Sequence, residues 1–245
     1  MNLERFRFFK SMHHESDLFI GIPAGTYNPG MLRVSQSELF RLRKLILDHI
    51  NKEPLFGTSL EPLLPLGASK SGSGSANIPP EILNMLQCSA VSGTGPMSSV
   101  AGIIAENVAS RLIREFELDE VVVENGGDLF VKNKSELISV IHAGTSPLSD
   151  RMAFVLQPGE WGVCTSSGTM GHSFSRGSAD AVSVITKSAS LADAWATSLA
   201  NLVKTPDDIE PVLEKVKGIK DILGFAVIIG DRIGIRGEIE VKPLS

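Results

Sequence analysis

The chain is short of rings and of thiols: aromatic residues are 6% of its 245, with one Tyr and two Trp beside 11 Phe, and there are two Cys. So few aromatic side chains leave little surface on which bases can stack, and 23 Lys+Arg against 28 Asp+Glu, a net charge of -5, leave no basic field to hold a phosphate backbone. Nucleic acid is therefore not an expected partner. Cys88 and Cys164 stand too far apart for a metal-ligand spacing and are too few for a disulfide framework. No apolar run approaches the roughly 18 residues of a membrane span. The opening MNLERFRFFK lacks the apolar stretch of a signal peptide, so the expected address is the cytoplasm, with no membrane partner.

Several catalytic signatures are missing as well. There is no G-x-S-x-G, S-x-x-K, H-E-x-x-H or G-x-x-x-x-G-K-[ST], which removes serine-hydrolase elbows, β-lactamase-like sites, zincins and P-loops. What the chain does have is small and polar material: 23 Gly, 13 Pro and 28 Ser, on an otherwise average 42% hydrophobic and 21% charged background. A length of 245 residues suits one large domain or two small ones.

Hydrophobic periodicity organises the rest. Phe6, Phe8, Phe9 and then residues 17–23 read as extended. Leu39, Leu42, Leu45, Ile46 and Ile50 recur every three or four residues and predict a helix over 35–51. Residues 53–80 are rich in Pro, Ser and Gly and predict no regular structure. Residues 67–80 are either a linker between an N-terminal part (1–66) and a main body (81–245) or an ordered loop within a single domain. After Gly93-Thr94-Gly95-Pro96 a second helix is expected, with Ser98 or Ser99 as N-cap and a stripe from Val100 to Phe116. Strands are expected at 120–124, 128–131, 137–142, 152–156, 161–165 and 181–186, helices at 190–203 and 207–217, and a hairpin around Gly230-Asp231. Consecutive strands interrupted by a few helices imply an α+β fold with a largely antiparallel sheet.

Four segments could carry chemistry. Gly93 to Ser99 opens a helix, and a helix start with free N–H groups suits an anion, although an ordinary turn and cap would look the same. Asn125-Gly126-Gly127-Asp128 is either a hairpin turn or a place where backbone approaches a nucleotide. Residues 164–180 place many hydroxyls, His172 and Arg176 in one loop, and an Arg fork suits a phosphate. Ser190 and Asp193 have the spacing of a capping box. Asp193 and Thr197 also share one helical face, offering two hard oxygens of the kind Mg2+ takes alongside substrate phosphates.

Together, the Gly-rich helix start, NGGDL, TSSGTMGHS and SASLADAWATSLANLV resemble the ApbE-like superfamily, the FAD:protein FMN transferases, over roughly residues 93–203. The resemblance implies an α+β, T-fold-like duplicated arrangement. It implies Mg2+ on Asp193 and Thr197, and a flavin nucleotide (FAD or FMN) near Asn125, Gly126, Gly127, Asp128, Thr165, Ser166, Ser167, Gly168, Gly102 and Glu106. It also implies His172 as the nearest candidate for the family's histidine, and an acceptor protein as a further partner; catalytic assistance is expected from His172 and from Arg176, the latter on the strength of its fork alone. The chain departs from the family at Ala101, where the transferases carry Lys, and at residues 173–177, where they carry I-D-P-x-T-G. The expected activity is transfer or release of FMN, the alternative a ligand-binding module without turnover on the same scaffold.

Overall fold

Strand alternation and helix periodicity sort the apolar residues onto two faces of one large sheet. The computed structural model describes residues 5–14, 16–63, 78–168 and 177–244. Among these, β1 (Phe6–His13), β2 (Ser16–Pro23), β3 (Val121–Asn125), β4 (Asp128–Asn133), β7 (Gly159–Ser166), β8 (Ala181–Thr186), β9 (Gly224–Ile229) and β10 (Arg232–Gly237) hydrogen-bond in that order, every pair antiparallel. A second sheet of β11 (Val241–Pro243), β6 (Met152–Leu156) and β5 (Leu137–Val140) lies apart from it.

The helices are α1 (Gly30–Lys52), α2 (Pro54–Thr58), α3 (Pro80–Ser92) and α4 (Val100–Phe116), between β2 and β3, and α5 (Ala189–Ala200) and α6 (Ile209–Lys217), between β8 and β9. Two units of strand pair, helices, strand pair therefore run in succession, β1 to β4 and β7 to β10, with β5 and β6 inserted between them. This is the α+β, largely antiparallel duplicated arrangement that the resemblance implies.

One face of the sheet carries the helices. Leu18, Ile20, Ile22, Val121 and Val123 pack with Leu39, Leu42 and Ile46 of α1 and with Ile104, Val108 and Leu112 of α4. On the other face, Val122, Val131, Val163, Ile185 and Ile228 meet Leu137, Phe154 and Leu156 of the small sheet. Because both faces are covered, β8 and β9 are buried at every residue, which explains their unbroken apolar runs where a half-exposed strand would alternate. β2 pairs with β3, and α1 packs on the same core as α4, so residues before 66 and after 80 share one sheet and one core.

The structure corrects several boundaries. α1 starts at Gly30, not 35, because the Asn28 side chain accepts the Gly30 N–H at 2.8 Å and so begins the helix inside what reads as a turn cluster. α2 occupies part of the stretch expected to be irregular, with Pro54 at its first position and Phe56 fully buried. α3 was not expected at all, yet Ile82, Met85, Leu86 and Ser89 form its buried stripe, and Gly93, at φ 75°, ends it in the left-handed region. β5 ends at Val140, and β11 is an addition. Residues 64–77, most of the expected linker or loop, lie outside the described residues.

The link from α3 to α4 is held tightly. Ser99 stands at the N-cap of α4 as expected, but its hydroxyl donates to the Pro96 carbonyl at 3.1 Å and caps nothing. The preceding loop is a string of hydroxyls, Ser92 to Thr94 at 2.7 Å and Thr94 to Ser98 at 2.6 Å. Gly95 runs so close to the end of α2 that a Cβ there would overlap the Ser59 carbonyl oxygen. Gly95→Ala is therefore expected to lower the unfolding free energy by about 1–3 kcal/mol, because backbone has to move to admit the methyl group. Urea denaturation of the two proteins checks this, and equal midpoints would contradict it.

Candidate functional site

Strand register brings a polar group into an otherwise apolar row. Leu18, Asn125, Asp128, Cys164 and Val184 stand side by side across five strands. Leu18, Cys164 and Val184 belong to the helix-side core, so the row faces α4 and α5. Asn125 and Asp128 are buried in it. They flank a two-residue turn in which Gly126 (φ 66°) and Gly127 (φ 102°) both adopt positive φ, the geometry of a tight hairpin that favours glycine. The turn is tied down by the Gly127 N–H donating to the Glu124 carboxylate at 3.1 Å.

α4 begins directly over this row. Asn125 donates its amide to the Ala101 carbonyl at 3.2 Å, and the Gly102 N–H donates to Asp193 Oδ2 at 2.9 Å. Asp193 therefore occupies the positive end of α4, where a carboxylate is favoured by free N–H groups and by the helix dipole. The helix start that suited an external anion already holds one of the protein's own. The capping-box reading of Ser190 and Asp193 is corrected in the same way. Ser188 is the N-cap of α5, its hydroxyl accepting from the Leu191 N–H, while Asp193 points across to α4.

The electrostatics follow from depth. Burial pushes the Asp193 carboxyl up to about 7, against the hydrogen bonds from Gly102 and Ala101 that hold it down. Asp128 is raised well above the usual carboxylate range, first by burial and then by the charge of Asp193, while the Cys164 thiol and the Thr165 N–H act in the opposite sense. Among the described residues no Lys or Arg is one of the groups that shift either carboxyl. Thr197, one turn beyond Asp193, is half-buried, and its hydroxyl makes no hydrogen bond among the described residues.

The remaining expected residues divide. Thr165 faces away from the helices and shares a hydrogen bond of 2.8 Å with the Ser183 hydroxyl. The Ser166 hydroxyl is buried with no partner among the described residues. Ser167 and Gly168 follow at the end of β7, and the Gly168 N–H donates to the Ala179 carbonyl at 2.9 Å, closing the base of the long loop. His172 and Arg176 lie outside the described residues. Glu106, expected at the nucleotide, is engaged by α5: its Oε2 accepts from the Ser188 hydroxyl at 2.9 Å and from the Ser190 N–H at 3.1 Å. The row therefore brings together Asn125, Asp128, Asp193 and Gly102, with Glu106 one turn further along α4. Sequence reasoning missed Cys164, whose thiol donates to the Ala189 carbonyl at 3.2 Å beneath Asp128. Only its cross-strand position reveals it.

Comparison with known proteins places this arrangement. A family model described as AbpE bacteria matches residues 2–218. The chain belongs to that family. Among its relatives are a UPF0280 protein of Methanococcus aeolicus, 36% identical and aligned over 85% of this chain and 82% of its own length, and one of Methanothermobacter thermautotrophicus, 38% identical over 80% and 75%. Among solved structures, the ApbE protein of Thermotoga maritima superposes with a TM-score of 0.61 at 14% identity, covering 95% of this chain and 97% of that one. The apo form of the Pseudomonas stutzeri flavinyl transferase ApbE gives 0.56 at 15%, covering 95% and 94%. The AbpE-family chain thus has the ApbE fold. No helix among its described residues is long and apolar enough to cross a membrane.

Both thiols near this site are held protonated. Burial pushes Cys88 up to about 11 and Cys164 well above its ordinary value, with the charge of Asp128 adding to the latter. A raised thiol pKa means less thiolate at a given pH, so at pH 8 the folded protein is expected to react with an aromatic disulfide reagent far more slowly than a free cysteine. Two thiols should titrate at once in denaturant. Fast native labelling at pH 8 would contradict the burial described.

Proposed function

We propose that this AbpE-family protein binds a flavin nucleotide together with Mg2+ between the Asn125 turn and α5, and cleaves or transfers its FMN part. The observation that carries this reading is the buried pair Asp128 and Asp193, two carboxylates with no cationic side chain of the described residues among the groups acting on them, on a fold shared with a flavinyl transferase. Buried charge without a counter-charge is costly, and a cation is the direct remedy.

The donor set fits Mg2+. Asp193 and Thr197 offer hard oxygens from one helical face, and Asp128 lies near Asp193 on the sheet. Among the described residues no three His, Cys, Asp or Glu side chains converge on one point, and the shell proposed is a partial one of two carboxylates and a hydroxyl. Such a shell suits an ion that keeps waters and takes phosphate oxygens, and when bound the ion would neutralise phosphate charge. The chain's own residues do the rest. Gly126 and Gly127 hold the positive φ of the turn, and among the described residues nothing lies within 4 Å of where a Cβ at Gly126 would stand, so the turn is open to a ligand. Ser166 keeps a buried hydroxyl that has no partner among the described residues. His172, the nearest match to the family's histidine, and Arg176, whose fork suits a phosphate, would assist at the phosphates.

A second reading, binding without turnover, is favoured by Ala101. It stands at the start of α4 where the transferases carry Lys, which removes a charge that would stabilise a phosphate leaving group. One experiment separates the two. FAD with Mg2+ is expected to raise the melting temperature more than either alone, corresponding to about 2.7 kcal/mol at a ligand concentration 100 times Kd. Asp193→Ala is expected to abolish the Mg2+ dependence. Release of FMN and AMP from FAD supports turnover, and binding without release selects the second reading. Absence of any FAD binding, with or without Mg2+, overturns both.

A further inference from the structure

Asp193 is half of a reciprocal arrangement between two helices. On α4, Gly102 and Glu106 are one turn apart, and on α5 so are Ser190 and Asp193. Asp193 accepts the Gly102 N–H at 2.9 Å, while Glu106 Oε2 accepts the Ser190 N–H at 3.1 Å, the Ser188 hydroxyl at 2.9 Å and the Ser190 hydroxyl at 3.3 Å. One turn onward along α4 corresponds to one turn back along α5, so each helix sends a carboxylate to the first turn of the other. Each charge stands at the positive end of its partner's dipole. Gly102 brings the two backbones together: a Cβ there would overlap the Ala189 carbonyl oxygen.

We infer that Glu106 is a positioning residue, one that fastens the start of α5 to α4 and thereby fixes where the Asp193 carboxylate sits, and that it does not itself contact the nucleotide. Three donors converge on one of its oxygens, and all of them belong to α5 or its N-cap. This inference rests on the reading of Asp193 as a holder of the divalent cation.

The test is a Mn2+ titration of the full chain, followed by the paramagnetic resonance signal of the free ion, with no flavin and no turnover required. Glu106→Ala is expected to weaken Mn2+ binding about 10- to 100-fold, the usual effect of losing a residue that orients a metal ligand. Glu106→Gln, which keeps an oxygen acceptor, should recover part of the loss. The double variant Ser188→Ala/Ser190→Ala removes the donors in place of the acceptor, and should weaken Mn2+ binding in the same direction while adding little to Glu106→Ala. Unchanged Mn2+ affinity in a folded Glu106→Ala protein, or in the serine variant, overturns the positioning role and leaves the metal reading standing. Should Glu106→Ala not fold, the serine variant decides by the same criterion. A wild-type protein that binds no Mn2+ overturns the metal reading and this inference with it.

Discussion

The architecture around the site depends on one close approach, that of the first turn of α5 to its neighbours on two sides. On one side lies Gly102 of α4 and on the other Gly162 of β7, and a Cβ at either would overlap backbone of Ser188 or Ala189. Packed helices ordinarily stand about 8–10 Å apart, a spacing set by the side chains between them. Removing those side chains lets a carboxylate as short as that of Asp193 reach across to a neighbouring helix's N–H groups. It also places the Ala189 carbonyl where the Cys164 thiol can donate to it from the sheet. A longer acid on a more distant helix would reach the same place with more rotamer freedom and less definition.

That proximity has an electrostatic consequence. Asp193 is stabilised by the first turn of α4, yet burial outweighs those bonds and pushes its carboxyl up to about 7. Asp128 is raised as well, first by burial and then by the charge of Asp193 beside it. Local and global preferences conflict here: an acid in the middle of an apolar strand row, facing a second acid, destabilises the unliganded protein. Conflicts of this kind concentrate where function demands them. The surrounding sheet, buried on both faces and paired on both sides, supplies the stability that tolerates it.

Much of the fold was legible because periodicity is a local property. The stripes of α1 and α4 and the apolar strands β3, β6, β8 and β9 are each written within a dozen or so consecutive residues. α3 was hidden by its surroundings, a Pro-Ser-Gly stretch before it and a Gly-Thr-Gly-Pro turn after it, although its own residues carry a helical stripe. The site was legible by a different route. Its members come from segments as far as 91 residues apart, and no spacing rule joins Gly102 to Asp193. Resemblance grouped them, whereas the local reading of Ser190 and Asp193 as a capping box failed because tertiary partners claimed both side chains. Cys164 was passed over since a lone cysteine in a strand looks like any small apolar residue until its cross-strand neighbour proves to be Asp128.

The duplication explains why the polar group lies where it does. Both units end in a hairpin with glycine at positive φ, Gly126-Gly127 in the first and Gly230 in the second. The second is closed by the protein itself: the Gly230 N–H donates to Asp180 at 2.7 Å, and Ser146 donates to the Gly230 carbonyl at 2.6 Å. The first keeps Asn125 and Asp128 directed at the helices. β3, β4 and α4 come from the first unit, β7 and α5 from the second, and the row of Asn125, Asp128 and Cys164 crosses the seam where β4 pairs with β7. Neither unit alone would place one acid against the other. The pairing of two similar halves creates an asymmetric site at their junction, and the glycines at 102 and 162 set how closely that junction is drawn.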